Sequence, residues 1–305
     1  MKKSLTLLML FISINSYAQT ARLELNLKKD STYNITINAD MDIDQLINGL
    51  HQIVKTTISG TTAHKVIAIK DTLYEMEVIY KKLGMHMEFG GKVIEFSSDL
   101  KSEDLISKFV RSMINKPFGI VMSRRGKIVE VKNIDSLFAG VIKDFPPISD
   151  AQVAQVIAQM KQSFGEKSIK GNLQETFVIF PKVPLAVKGN WTTVNATEAA
   201  AISLTTKTTY TLNAIADKYY DVSGTAVITS DKVPAFKKSG VYLIRLMQPS
   251  GRYTARMKID KTTGWVTESQ ITKDISATAQ IKKTEAGPIE LSYPMKILMK
   301  FTGAN

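Results

Sequence analysis

Between Tyr253 and Asp260 the chain alternates without a break. Tyr253, Ala255, Met257 and Ile259 fall on one side, and Thr254, Arg256, Lys258 and Asp260 on the other. A period of two is the mark of a half-buried antiparallel strand, because successive side chains leave a pleated strand on opposite faces. Lys261-Thr-Thr-Gly264 follows as a turn, with Gly264 where a short loop needs positive φ, and Trp265-Val-Thr-Glu opens a return strand. A second hairpin of this kind is predicted over 118–132, where Arg124-Arg125-Gly126 turns between Phe118–Ser123 and Lys127–Lys132. These hairpins point to a β-rich antiparallel protein, and neither carries a catalytic group.

The same alternation runs through the first third. Leu23, Leu25 and Leu27 predict a first strand over 22–27. It resumes at Tyr33, Ile35, Ile37, Ala39, Met41 and Ile43, and Asn48-Gly49 is a strong two-residue hairpin signal. A helical stripe can also be drawn through Ile43, Leu46, Ile47, Leu50, Ile53 and Val54, but Asn-Gly inside a helix is costly, which favours strands. Turns at Lys70-Asp71 and Gly90-Gly91 then complete a long-stranded meander over 22–97.

A helical middle follows. Ser102 with Glu103-Asp104 starts one helix, with an apolar face of Leu105, Ile106, Phe109, Val110, Met113 and Ile114, stopped at Lys116-Pro117. Asp135 caps a second, running through Leu137, Phe138, Val141, Ile142 and Phe145. Ser149-Asp150 starts a third, with Val153, Val156, Ile157, Met160 and Phe164. Asn172-x-x-Glu175 has the form of a capping box, predicting a short fourth helix through Phe177 and Phe180. Gly189-Asn-Trp191 then turns into strands over 202–215, 219–228, 241–247, 252–275, 277–281 and 295–301. The order strands, helices, strands argues for an α+β fold: curved, half-barrel-like antiparallel sheets with the middle helices packed on one side. The expected divisions are an export signal (1–18), an N-terminal meander with its helical lobe (19–180), and a C-terminal antiparallel lobe (181–305), the last two open to being one continuous domain.

The start of the chain gives the location. Lys2-Lys3, the apolar run Leu5–Ile14 and Ser16-Tyr17-Ala18 have the order of a cleavable signal peptide, with Gln19 as the expected mature end. No Cys is present, which removes the lipoprotein anchor, thiol catalysis and disulfides. No later run is long and apolar enough for a transmembrane helix. A soluble protein of the periplasm, or a secreted one, is expected. The formal charge is +12, spread in pairs such as Lys28-Lys29, Lys81-Lys82 and Lys282-Lys283. Such a surface is either simply solvated or drawn to an anionic envelope component, lipid phosphate or acidic glycan. Export and the lack of a basic helix disfavour nucleic acid.

Few constellations carry chemistry. Asp40, Asp42 and Asp44 share a strand face, but Gln45 and His51 stand where a calcium loop needs Gly and Glu. His51, His64 and His86 form no close pair or HExxH, so no metal site is signalled. Ser98-x-x-Lys101 lacks the companion motifs of a Ser–Lys hydrolase, and Gly90-Gly91-Lys92 lacks the rest of a phosphate loop. Asn34-Ile-Thr36 and Asn195-Ala-Thr197 read as chance glycosylation tripeptides in a bacterial-looking chain. What remains is apolar: Met85, Met87 and Phe89, with Tyr253, Met257 and Trp265, and with Met295, Met299 and Phe301, on alternating strand faces. Methionine suits adaptable apolar surfaces. Two readings stay open: ordinary core, or a groove for an acyl chain or another hydrophobic ligand.

The hairpin Gly-Lys-Ile-Val-Glu-Val (126–131), Asp-Ser-Leu (135–137), Val-Lys-Gly-Asn-Trp (187–191) and a Met/Thr-rich last strand resemble a family of secreted bacterial β-rich proteins of unknown function. Many of its members look like lipoproteins, an anchor this chain has no Cys to form. More remotely, the Ile259–Trp265 hairpin is similar to those of lipoprotein-carrier half-barrels, which implies a curved sheet that holds acyl chains. The expectation is a non-enzymatic binding or carrier module for a hydrophobic or anionic amphiphilic ligand, without cofactor or metal. Its candidate ligand-binding residues are Met85, Met87, Phe89, Tyr253, Met257, Trp265, Met295 and Met299, and its expected partner is a lipid or lipoprotein acyl chain. The alternative is an envelope scaffold acting through a sheet edge or basic face.

Overall fold

The computed structural model describes residues 19–138, 164–199, 202–229, 233–239 and 241–305. First come β1 (Thr20–Ala21), β2 (Thr32–Ile47), β3 (Leu50–Lys70), β4 (Leu73–Phe89) and β5 (Lys92–Ser97). Helix α1 (Leu105–Met113), β6 (Pro117–Ser123), β7 (Ile128–Lys132), α2 (Asp135–Phe138) and α3 (Glu166–Thr176) follow. The chain then returns to strands: β8 (Leu185–Ala186), β9 (Asn190–Ala199), β10 (Ile202–Ile215), β11 (Tyr219–Thr229), β12 (Lys237–Ser239), β13 (Tyr242–Asp260), β14 (Val266–Lys282) and β15 (Leu291–Ala304).

Eleven strands lie in one line, β7-β6-β4-β3-β2-β15-β14-β13-β11-β10-β9, with β5 beside β4 and β12 beside β13. The ladder is antiparallel throughout and its two ends do not pair. Most neighbours are hairpins, and their turns use residues that tolerate positive φ: Asn48 (52°) with Gly49 (78°), Gly90 with Gly91, and Gly264. The lobes expected at 19–180 and 181–305 meet where β15 pairs with β2, in a register running from Met295↔Gln45 to Ala304↔Thr36.

The sheet is strongly curled. Strands sit about 4.8 Å apart, so ten intervals laid flat would separate β7 from β9 by roughly 48 Å. Yet α3, a cylinder about 10 Å across, packs against both edges. Its side chains substitute for missing ladder partners. Gln174 Oε1 accepts from Ile128 N at 2.8 Å and Gln174 Nε2 donates to Gly126 O at 3.1 Å, while Lys170 Nζ donates to Val129 O at 2.6 Å. The segment after the helix continues the closure: Phe180 N donates to Arg125 O, Arg125 Nε and Nη2 donate to Phe180 O, and Trp191 Nε1 donates to Ile179 O. An unpaired sheet edge is open to foreign strands, and here a helix occupies the gap. Gln174→Ala leaves a buried N–H and a carbonyl unpaired. The expected loss is about 2 kcal/mol of unfolding free energy, read by urea denaturation.

One end of the curl is sealed by the N-terminal segment. Residues 22–27 join no ladder, against the expectation of a strand there; the backbone N–H groups of Leu25, Asn26 and Leu27 go instead to two different turns and to a side chain. Leu25 N donates to Arg124 O, Asn26 N to Thr263 O, and Leu27 N to the Tyr74 hydroxyl, which itself donates to Leu25 O. The alternation still holds: Leu23, Leu25 and Leu27 are buried and join the one large core cluster. Gly264 is required at this crossing, since a Cβ on it would lie 2.1 Å from Glu24 O.

Other expectations are corrected. The segments 241–247 and 252–260 are one strand, β13, with a register shift between Met247 and Ser250 where Pro249 interrupts the ladder. Likewise 266–275 and 277–281 are one strand, β14. α1 starts at Asp104, whose carboxylate accepts from Ser107 N, and buries Phe109, Val110 and Met113, but Ile106 points out and is 48% exposed. No helix starts at Asn172. α3 starts after Gly165 and passes straight through the supposed capping box, and Phe177 and Phe180 lie in the extended chain beyond its end. The helix expected from Asp135 is described only to Phe138, and the one expected over 149–164 lies outside the described residues except Phe164.

Candidate functional site

The register puts one row of side chains across the concave face. It reads Thr193, Thr208, Ala226, Tyr253, Lys273, Met299, Met41, Thr56, Met87 and Ile94, each opposite the next. The row beside it includes Phe301, Ala39, Ile58, Met85 and Phe96. On the other side lie Ile297, Ile43, Val54 and Phe89, with Met295 between Ala277 and Gln45. Of the sequence-expected methionines, Met299 lies directly opposite Met41 and Met87 follows in the same row across Thr56, while Met85 and Met295 share the face two and four residues away along β4 and β15. All five are half-buried, whereas Phe89 at the strand end is exposed. In their midst Thr56 is 3% exposed and its hydroxyl oxygen has no hydrogen-bond partner.

The other three expected residues sit deeper. Met257 and Tyr253 are buried, and Trp265 is 1% exposed, with its indole N–H donating to Asn34 O. The Trp265 ring packs against Tyr33, His64 and Phe177 at centroid distances of 5.1, 5.4 and 5.0 Å. This aromatic knot ties β2, β3 and the segment after α3 together. His64 is wholly buried in it. Its Nδ1 faces Tyr33 O at 3.3 Å and so carries the proton, while Nε2 has no partner. Burial lowers its pKa to about 4, so the ring is neutral at physiological pH.

Beside the knot, next to Phe177, lies a small polar hollow of about 30 Å³. Glu175, Phe177, Thr208, Tyr210, Tyr253 and Lys273 are among its lining residues. Lys273 stands on the inward face of β14 between Ile271 and Ile275, and its Nζ meets Glu175 Oε2 at 2.5 Å. Tyr253 and Tyr210 hydrogen-bond to each other, and burial pushes both phenols up, so both stay protonated. The sequence offered a signal for this site that alternation alone did not use: a lysine at an inward-facing position between two isoleucines. A larger hollow of about 290 Å³, lined by Ile67, Glu77, Phe118, Val121 and Lys132, lies away from the methionine face.

The outer face accounts for the acid cluster. Asp40 and Asp44 lie opposite Lys300 and Lys296 of β15, and Asp42 opposite Lys55 of β3. Thr57 Oγ1 donates to Asp40 and His51 Nδ1 lies 2.8 Å from Asp44. His86 pairs with Glu88. The three histidines are thus in three separate settings. Among the described residues no group of three or more His, Cys, Asp or Glu is placed to hold a metal, and no helix is long and apolar enough to cross a membrane, a statement about helices alone.

A family model matches residues 71–266, from the turn before β4 to the first residue of β14. The chain belongs to the family of unknown function DUF6263. The motifs at 126–131, 135–137 and 187–191 all fall within the matched span of this DUF6263 chain. No curated protein matches it. Among solved structures, lipovitellin, described for its lipid–protein interactions, is similar with a TM-score of 0.46 at 9% identity over 92% of this chain and 25% of that one. The chain thus spans about a quarter of lipovitellin's length. An outer membrane channel from Pseudomonas putida F1 is similar with a TM-score of 0.28 at 7% identity, covering 91% of this chain and 97% of that one. OpdQ of Pseudomonas aeruginosa gives 0.22 at 8% identity, covering 91% and 99%. These are remote likenesses among β-rich proteins.

Proposed function

We propose that this DUF6263 chain is an exported, non-enzymatic binding or carrier module that holds a hydrophobic or amphiphilic ligand against the concave face of its sheet. The observation that carries the reading is a run of half-buried methionines on one face of the sheet: Met299 of β15 lies opposite Met41 of β2, Met87 of β4 follows in the same row across Thr56 of β3, and Met85 and Met295 share the face. Unbranched thioether side chains adapt to an irregular apolar guest, and concave apolar faces are where such guests are held. The middle helices are read as the cover on this side of the sheet, α3 filling the gap between the edges. The amino-terminal Lys–apolar–small-residue order supports export to the periplasm or beyond.

The test uses protein prepared without detergent and a fluorescent fatty acid. Met299→Glu sets a carboxylate in the middle of the patch. Because Met299 is half-exposed, folding should be little changed while affinity falls at least about ten-fold, equivalent to about 1.4 kcal/mol. Unchanged uptake by a folded Met299→Glu protein would contradict the reading.

One observation favours a second reading, an envelope scaffold. Among the described residues β5 pairs with β4 alone, and Val93 (60%) and Ile94 (49%) are exposed. An apolar, unpaired strand edge is a template for a partner strand. Val93→Lys would abolish partner capture on that reading and leave fatty-acid uptake unchanged.

A further inference from the structure

We propose that Lys273 anchors the carboxylate of a fatty-acid-type ligand whose chain lies along the methionine row, with Glu175 holding the ammonium in place when the site is empty. This rests on the ligand-binding reading above and adds the chemistry of the head group. Lys273 lies directly across from Met299 on one side and from Tyr253 on the other, so polar hollow and apolar row are neighbours on one surface. A lysine turned into an apolar face is costly to bury unless its charge is met. Glu175, reaching in from α3, meets it with one contact. An ammonium has three donors, and Lys273 lines the hollow, so donors remain for a guest.

Charge and polarity select the head group. The hollow is small and polar, with Lys273 its basic residue, which suits a compact anionic group such as a carboxylate. Tyr253, Tyr210 and Thr208, hydrogen-bonded among themselves, form a fixed polar wall beside Lys273, the kind of polar lining that orients a small group in an otherwise apolar site. A lysine that merely pinned α3 to the sheet would stabilise the fold without distinguishing one ligand head from another.

The experiment compares a fatty acid, the fatty alcohol of equal length and a lysophospholipid of equal chain, titrated into the full chain by native mass spectrometry. The acid should bind at least ten-fold more tightly than the alcohol, and the lysophospholipid more weakly than the acid. Lys273→Met should erase the acid's advantage and leave alcohol binding within about three-fold, whereas Lys273→Arg should keep the advantage. Glu175→Gln removes the competing carboxylate and should strengthen acid binding about three-fold or more, with the alcohol unchanged. That arm decides the matter if Lys273→Met does not fold. Acid and alcohol binding the wild type equally, or Lys273→Met and Glu175→Gln leaving their ratio unaltered, would overturn the anchor. Tighter binding of the lysophospholipid would overturn the carboxylate assignment. A wild type that takes up none of the three refutes the ligand-binding reading itself, a different failure.

Discussion

Trp265→Ala should lower the unfolding free energy by about 4 kcal/mol, seen as a fall in the urea midpoint with the slope unchanged. The indole is 1% exposed and is packed by Tyr33, His64 and Phe177. Its removal loses the transfer free energy of the largest fully buried side chain and leaves a cavity walled by three rings. Aromatic pairs of this geometry add about 1 kcal/mol each beyond the buried area, and Asn34 O loses its donor. The knot also links elements far apart in the chain, so surrounding groups cannot collapse into the space without moving the sealed end of the sheet. Trp265→Phe should recover part of the loss. A fall of less than 1 kcal/mol in the alanine variant would mean that the knot does not hold β3 to the segment after α3.

His64 should make the protein acid-labile between pH 6.5 and 4, over and above the carboxylates. Its pKa is about 4 in the folded state and about 6.5 in an unfolded chain. As pH falls the unfolded state takes the proton first, so the stabilisation is complete above pH 6.5 and is lost as pH drops to about 4. Two and a half pKa units correspond to about 3 kcal/mol. His64→Phe fills nearly the same space and removes the orphaned Nε2. It should stay within about 1 kcal/mol of wild type at pH 7 and be the more stable of the two at pH 4, measured by denaturation at both values. Parallel losses in both proteins would show that carboxylate protonation alone accounts for acid lability.

Most of the sheet could be read from local chemistry. Tyr253, Ala255, Met257 and Ile259 are all buried as their alternation requires, and Asn48-Gly49 and Gly264 turn where only residues tolerant of positive φ fit. What could not be read is anything set by the meeting of distant segments. Leu23, Leu25 and Leu27 alternate like a strand, yet the backbone from Leu25 to Leu27 bonds to two separate turns and to the Tyr74 hydroxyl, and no ladder forms. Asn172 and Glu175 have capping-box spacing but sit inside α3, where Gln174 faces an edge strand and Glu175 an inward lysine. The apolar faces illustrate both sides. Period two put Met85, Met87, Met295 and Met299 each on one face of its strand. Only the registers running from β15 through β2 and β3 to β4 show that Met299 and Met87 fall in one row with Met41, while Trp265 and Met257 go to the closed core. The polar hollow was hidden for the same reason, since Lys273 and Glu175 are brought together across the curl by α3.

The central claim is that the concave methionine face holds an amphiphile. Native mass spectrometry of the full chain, purified without detergent and then given a saturated fatty acid, tests it most directly. The account predicts an adduct of one fatty-acid mass on the wild type, absent from a folded Met87→Glu or Met299→Glu protein. An apo mass with no uptake, or equal uptake by wild type and both variants, would contradict it.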